Sequence, residues 1–134
     1  MKTILWIPIL AGLALTALVG APAHGEAENA TRRGQMLFIT QCRACHTTEA
    51  VNDPLKIGPN LNQLLGRKAG SVADYKYSDG MQKSNLTWTR EQLDLWLQKP
   101  SGLVPGTTMT FVGLPQAGDR AALIAYLTQD MPVR

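Results

Sequence analysis

Apolar residues recur three and four positions apart in three stretches of the chain, and that spacing predicts three helices. The helices are expected over residues 30–40, 89–99 and 118–129. Their inward positions are Met36, Leu37 and Thr40 with Phe38 beside them, then Leu93, Trp96 and Leu97, then Leu123, Ile124 and Leu127 with Tyr126 beside them. No stretch alternates convincingly in the manner of a strand, so the predicted fold class is all-α with large loops.

Local residues support the bounds of these helices. Thr89 with Gln92 three residues later forms a capping box at the start of the second helix, and Pro100 ends it. Gly34 weakens the first helix by about 1 kcal/mol relative to Ala. A close approach by another helix would explain that glycine, and a tolerated defect is the alternative. Residues 24–30 are small and polar and are expected to be a frayed leader.

Between the first and second helices the pattern stops. Residues 47–86 are rich in Gly, Asn, Asp, Ser and Pro, and only Leu61, Leu64 and Leu65 suggest a brief helical turn. Loops of this length are unusual in a compact domain unless they hold something. Wrapping a flat cofactor would explain them.

The N-terminus is typical of an exported protein. A positive start at Lys2 precedes an uncharged apolar run over residues 4–19 and an A-x-A site that ends at Ala23. This pattern predicts a secretory signal peptide over residues 1–23, cleaved after Ala23. The alternative is an uncleaved membrane anchor, since the run approaches the ~20 residues that span a bilayer.

The rest of the chain, residues 24–134, is the length of one small domain. The formal net charge of the whole chain is +3. That charge is far below the basicity of a nucleic-acid binder, and the sequence contains no internal repeat.

The pentapeptide Cys42-Arg43-Ala44-Cys45-His46 has the C-x-x-C-H spacing at which a c-type haem is attached. Cysteines three apart lie on one face of a helical turn, from which both sulfurs reach the two vinyl groups of a haem. Three alternatives compete with this interpretation. The two cysteines could be half of a zinc site, but the sequence has no second cysteine pair to complete it. They could be a thioredoxin-like redox pair, but the βαβ context of such a pair is not visible. A plain disulfide between them remains open.

A second iron ligand is expected far along the chain, on the opposite face of the haem. The candidates are Met36, Met81, Met109, Met131 and the other histidine, His24. Met109 stands out because residues 105–111, Pro-Gly-Thr-Thr-Met-Thr-Phe, form a turn-rich loop that can hold a thioether in place. Elsewhere a methionine is more often core filler.

In order along the chain, these motifs resemble the class I cytochromes c, of the mitochondrial cytochrome c and bacterial cytochrome c2 type. The matching pieces are residues 34–38, 42–46, 56–61, 65–70 and 75–78, Trp88, Pro100, residues 105–111, Arg120 and residues 124–127. The resemblance implies a class I cytochrome c fold, with few helices and long loops wrapped around one covalently attached haem c.

The resemblance also implies roles for individual residues. His46 and Met109 would be the axial iron ligands, and the Pro59 carbonyl would accept the free ring N–H of His46. The haem propionate would be bound by Arg67, Tyr77 and Trp88, with help from Tyr75. Phe111 would cover the exposed haem edge, and Leu37 and Phe38 would lie in the core. Gly34 would lie where the first helix crosses the last one, near Leu123 and Tyr126.

Three departures from the family pattern concern the haem surroundings. Trp96 replaces a tyrosine near the methionine sulfur, and Met81 replaces an asparagine of the haem-pocket loop. The lysine-rich face of mitochondrial members is thinner here. A modest positive rim around the haem edge is still expected, with some of Arg43, Lys56, Lys83 and Lys99.

The predicted function is single-electron transfer in the bacterial periplasm by a monomer with no catalytic residues, small-molecule substrate or nucleic-acid partner. Its donor would be a quinol-oxidising complex or a dehydrogenase. Its acceptor would be an oxidase, a peroxidase or a photosynthetic reaction centre. The alternatives are a haem peroxidase or gas sensor with an open iron position, and a cytochrome subunit of a dehydrogenase complex.

Overall fold

A computed structural model describes residues 24–51 and 53–129, with side chains from Glu28 onward. The helices of this part of the chain are α1 (His24–Gln41), α2 (Asp79–Lys83), α3 (Arg90–Gln98), α4 (Pro100–Leu103) and α5 (Ala117–Leu127). The same residues contain no strand, and one isolated antiparallel bridge joins Lys68 to Thr87. The prediction of an all-α fold with large loops is therefore confirmed.

The predicted signal peptide, residues 1–23, and the candidate ligand Met131 lie outside the described residues. Among the helices that are described, none is long and apolar enough to cross a membrane.

The three predicted helices are present as α1, α3 and α5, and the differences are local. Helix α1 begins at His24, so the prediction of a frayed leader over residues 24–30 is wrong. Residues 61–66 form turns, not the helical turn expected at Leu61, Leu64 and Leu65.

Two short helices were not predicted, because four or five residues are too few to show helical periodicity. Ser78 caps α2 by accepting a hydrogen bond from the Met81 N–H at 3.3 Å. Pro100 ends α3 as predicted but is also the first residue of α4, where its ring already has the helical φ angle.

Helix α1 packs against α5, and Gly34 lies at the crossing. A Cβ added at Gly34 would collide with the backbone carbonyl of Ala122 and lie 2.7 Å from the Cβ of Tyr126. The predicted close approach is therefore confirmed. Phe38 packs against Tyr126, with 5.5 Å between ring centroids, whereas Met36 is 59% exposed and lies outside the core.

The second and third predicted stripes also lie in the core. Leu93, Trp96 and Leu97 of α3 are buried, as are Leu123, Ile124, Tyr126 and Leu127 of α5. Thr89 caps α3 by accepting a hydrogen bond from the Gln92 N–H at 3.2 Å. The reciprocal half of the capping box is not formed, since Gln92 Oε1 is buried without a hydrogen-bond partner.

Candidate cofactor site

A cavity of about 310 Å³ lies between the end of α1, the long loop that follows it, and the loop between α4 and α5. Its wall contains every residue to which the sequence assigned a haem contact, namely Cys42, Cys45, His46, Pro59, Arg67, Tyr75, Tyr77, Trp88, Met109 and Phe111. Leu93, Trp96 and Leu97 of α3 and Leu127 of α5 close it from the core side. Of these four residues, only Trp96 was predicted to lie near the haem.

The C-x-x-C-H motif forms a single turn at the end of α1. The Cys45 and His46 N–H groups donate to the Cys42 carbonyl at 3.0 and 2.9 Å, which brings the three side chains to the same cavity. Both cysteines are free, and burial, with the neighbouring Cys45, raises the pKa of the Cys42 thiol to about 11. Two unpaired thiols directed into one cavity are what thioether attachment to a haem needs.

The alternatives to haem attachment find no support in the described residues. No group of three or more His, Cys, Asp or Glu side chains there could hold a metal ion, so a zinc site lacks ligands. The absence of strands in the same residues removes the βαβ context of a thioredoxin-like pair. The two cysteines are also not joined to each other, as a plain disulfide would require.

The orientation of His46 is set by residues 58 and 59. His46 Nδ1 donates to the Pro59 carbonyl at 2.8 Å, the hydrogen bond that the family resemblance implied. Gly58 lies so close that an added Cβ would be 2.7 Å from Nδ1. Burial lowers the pKa of His46, against the opposing effect of the Pro59 bond. The result is a neutral imidazole with Nε2 free to bind a metal.

Arg67, Tyr77 and Trp88 lie together at another part of the wall. Arg67 and Trp88 are held together beside the isolated bridge, where the Trp88 N–H donates to the Arg67 carbonyl at 3.0 Å. The Arg67 guanidinium donates to the carbonyls of Asn60 and Asn62, both at 2.8 Å. Burial lowers the pKa of Arg67 and raises that of Tyr77. A half-buried cation with hydroxyl and indole donors beside it suits a carboxylate such as a haem propionate.

Met109 reaches the cavity from the loop between α4 and α5. Its N–H donates to the Thr107 hydroxyl at 3.2 Å, and its side chain is half-buried in the wall. Met81 also lines the cavity, from α2, and is 7% exposed. Met36 does not line the cavity, so of the described methionines two remain near the site.

Two elements, α3 and α5, hold the far end of that loop. The Leu114 N–H donates to the Leu97 carbonyl of α3 at 2.7 Å. Arg120 of α5, 6% exposed, donates from Nη1 to the carbonyls of Leu114 and Pro115 at 3.1 and 3.0 Å. Its Nε and Nη2 donate to the Asp94 carboxylate at 2.8 and 3.3 Å. The sequence identified Arg120 as a family match but gave no sign of this network.

Trp96 and Met81 differ from the residues that the family often has at these positions, and both line the cavity. The indole rings of Trp96 and Trp88 meet edge to face with centroids 5.5 Å apart. The thioether of Met81 makes its part of the wall apolar where the family often has an amide.

None of the four cations expected around the haem edge lines the cavity. Arg43 and Lys56 border a separate groove beside α1, where Lys56 Nζ donates to the Arg43 carbonyl. Lys83 lies 3.9 Å from Asp79, and Lys99 follows α3. The cavity wall gives the predicted positive rim no support, since its exposed residues are neutral.

The cavity as a whole fits a haem. Two thiols and an imidazole from one turn, a thioether from a separate loop, and a cationic donor group share walls that are otherwise mainly apolar. A flat, largely apolar macrocycle with two carboxylates and one metal ion needs this combination.

Comparison with known proteins also identifies relatives that are cytochromes c. No family model matches the chain. It is 41% identical over 118 residues to cytochrome c2 of Rhodomicrobium vannielii, a match that covers 88% of this chain and 90% of that one. It is 43% identical over 111 residues to the cytochrome c-type cyt cy of Rhodobacter capsulatus. That match covers 79% of this chain but only 54% of the relative.

Among solved structures, cytochrome cH of Methylobacterium extorquens superposes with a TM-score of 0.65 at 40% identity. That superposition covers 72% of this chain and 95% of the other. The chain therefore shares the fold of cytochrome cH and spans most of cytochrome c2, but only about half of the length of cyt cy.

Proposed function

Because this chain belongs to the class I cytochrome c family, we propose that it is a periplasmic single-electron carrier whose haem iron is bound by His46 and Met109. The observation that carries the proposal is that the C-x-x-C-H turn and the Met109 loop face one cavity. His/Met ligation favours the ferrous state and so raises the reduction potential relative to harder ligands.

The cofactor is one covalent haem c, which when bound supplies a one-electron ferric/ferrous couple. Cys42 and Cys45 would hold it by thioether bonds. His46 presents Nε2, because its Nδ1 is occupied by the Pro59 carbonyl. Met109 would be the second iron ligand, and two protein ligands would together keep oxygen and peroxide from the metal.

The remaining wall residues control charge and water. Arg67, Tyr77 and Trp88 would donate hydrogen bonds to a propionate at the polar end of the cavity. Met81 and Trp96 line an apolar part, where exclusion of water disfavours the extra positive charge of the ferric state. Both effects act on the reduction potential.

Location and partners follow from the same proposal. Residues 1–23 would direct export and be removed after Ala23, leaving a monomeric carrier in the periplasm. It would accept electrons from a quinol-oxidising complex or a dehydrogenase. It would pass them to an oxidase, a peroxidase or a reaction centre through small, transient contacts.

The test is the optical spectrum of the purified holoprotein. A carrier with both axial positions filled is expected to be low-spin, with a methionine-to-ferric charge-transfer band in the far red and little binding of carbon monoxide when reduced. A high-spin spectrum with ready carbon monoxide binding would support the alternative of a peroxidase or gas sensor. Failure to purify without other chains would support a subunit of a dehydrogenase complex.

A further inference from the structure

The opening of the cavity is lined by neutral residues. Of the residues in the cavity wall, those exposed to solvent are Gln41, Ile57, Thr108 and Thr110, which we call the mouth. We propose that the mouth is an uncharged docking face, which accepts a redox partner whose own contact surface is apolar and uncharged. The proposal rests on the proposed function, since an electron leaves a buried haem through the opening of its cavity.

The segments that form the mouth are themselves without net charge. Residues 100–118, which supply Thr108 and Thr110, contain no Asp, Glu, Lys, Arg or His. In residues 41–61, which supply Gln41 and Ile57, the cations are Arg43 and Lys56 and the anions are Glu49 and Asp53. Two positive and two negative side chains cancel, so neither segment gives the mouth a dominant sign of charge.

Large apolar side chains stand out from these same segments. Ile57 is 77% exposed at the mouth, and Val112, beside the wall residue Phe111, is 88% exposed. Val51 and Leu55 of the same loop as Ile57 are 77% and 87% exposed. Covering such groups is favourable by about 25 cal/mol per Å² of apolar surface. Contact at the mouth therefore gains from desolvation and not from ion pairs.

This composition determines which partner fits. A charged rim accelerates encounter with an oppositely charged face by about 10- to 1000-fold at low salt, and that advantage falls with ionic strength. A neutral mouth offers no such advantage to an acidic partner. It suits a partner with few charges around its own redox centre, and the rate of electron transfer should be insensitive to salt.

The protein itself serves as the partner in the test. An electron passes from ferrous to ferric holoprotein, and each molecule presents the same uncharged mouth. We expect the electron self-exchange rate, measured by NMR line broadening, to change by less than about twofold between about 10 mM and about 500 mM salt. A positive mouth would instead repel its own copy, and the rate would rise steeply with salt.

Two matched pairs of substitutions locate the effect. Gln41→Lys with Thr110→Lys puts two charges at the mouth and should lower self-exchange at low salt by about tenfold, with recovery at high salt. Gly118→Lys with Ala121→Lys adds the same charge to exposed positions of α5 outside the cavity wall and should change the rate by about twofold at most. The far-red band of each variant checks that the iron ligands are unchanged.

A second measurement needs no electron transfer. In the ferrous protein at rising concentration, methyl shifts should change at Ile57 and Val112, equally at low and high salt. Steep salt dependence of wild-type self-exchange, equal effects of the two variant pairs, or shift changes confined to other surfaces would overturn the docking proposal. Absence of a reversible one-electron couple would instead overturn the proposed function, and the methyl shifts would still decide the docking face.

Discussion

The two sides of the haem cavity are built in different ways. On the proximal side, the two cysteines and His46 come from one turn of five residues. Gly58 lies close to the His46 imidazole, and the Pro59 carbonyl accepts its hydrogen bond. On the distal side, Met109 stands in a loop in which its own N–H donates to the Thr107 hydroxyl and the Thr107 N–H donates to the Val104 carbonyl. The position of that loop depends on α3 and α5, which hold its far end.

One of the two proposed iron ligands is therefore positioned by local contacts, and the other by contacts between distant segments. His46 is placed by neighbours within thirteen residues of it, and its tautomer is set by one carbonyl. Met109 is placed by Leu97 and Arg120, which hold residues 114 and 115. We therefore expect the distal ligand to respond to changes in the helical core, and the proximal ligand to be indifferent to them.

The largest expected effect comes from removing Met109, the proposed distal ligand. In Met109→Ala the cysteines and His46 still hold the haem, while the ferrous state loses its preferred thioether. The reduction potential should fall by about 0.1 V or more, within the ~0.8 V range that axial ligands span. Peroxidase activity should rise above that of the wild type, because peroxide gains access to the iron. A potentiometric titration with a peroxidase assay measures both.

Met36→Ala is the matched control, because this exposed methionine of α1 does not line the cavity and its loss should leave the potential unchanged. An unchanged potential in Met109→Ala would show that Met109 is not a ligand and would leave Met81, the other methionine in the wall, as the candidate. A wild type that already turns over peroxide, with little change in the variant, would favour the enzyme alternative.

The next effect concerns the support of the distal loop. Arg120→Ala removes a buried guanidinium and leaves the carbonyls of Leu114 and Pro115 without their donor. The free energy of unfolding should fall by about 2–3 kcal/mol, less than for a fully buried pair because Asp94 is 40% exposed and can be hydrated. The far-red band should be lost at a lower denaturant concentration than the fold itself, since the Met109 loop is released first.

Arg32→Ala is the control for this change. The Arg32–Glu28 pair on α1 has a similar N–O distance of 2.8 Å, but its side chains are 73% and 65% exposed. Its removal should leave the unfolding midpoint nearly unchanged. Equal effects of the two substitutions, or simultaneous loss of the far-red band and the fold in Arg120→Ala, would contradict the role assigned to the distal support.

The same division explains what the sequence could predict. The C-x-x-C-H turn, the buried stripes of α3 and α5 and the Thr89 cap are local patterns, and each was predicted from neighbouring residues. The close approach at Gly34 was predicted because an isolated glycine inside a helix needs a reason. The family resemblance predicted the haem-binding residues of the cavity wall by position, but not Leu93, Leu97 and Leu127 on its core side.

What sequence patterns could not supply depends on contacts between distant segments. Met36 has the helical spacing of a core residue, yet the α1–α5 crossing at Gly34 turns it to solvent. Arg120 looks like a solvated cation until the chain brings Asp94 and the Leu114 carbonyl to it. Lysines counted along the chain suggested a positive rim, but the fold lines the mouth with neutral side chains.

The smallest expected effect concerns the α1–α5 crossing, which connects the two sides, since α1 leads into Cys42 and α5 carries Arg120. In Gly34→Ala the new methyl would meet the Ala122 carbonyl and Tyr126, so overpacking of about 1–3 kcal/mol opposes a gain in helix propensity of about 1 kcal/mol. A net loss of about 1 kcal/mol is expected in chemical denaturation. Gly118→Ala in α5, with open space around its Cβ, should instead stabilise by about 0.5–1 kcal/mol. Stabilisation by both substitutions would mean that the helices move apart freely, which would contradict the tight packing assigned to Gly34.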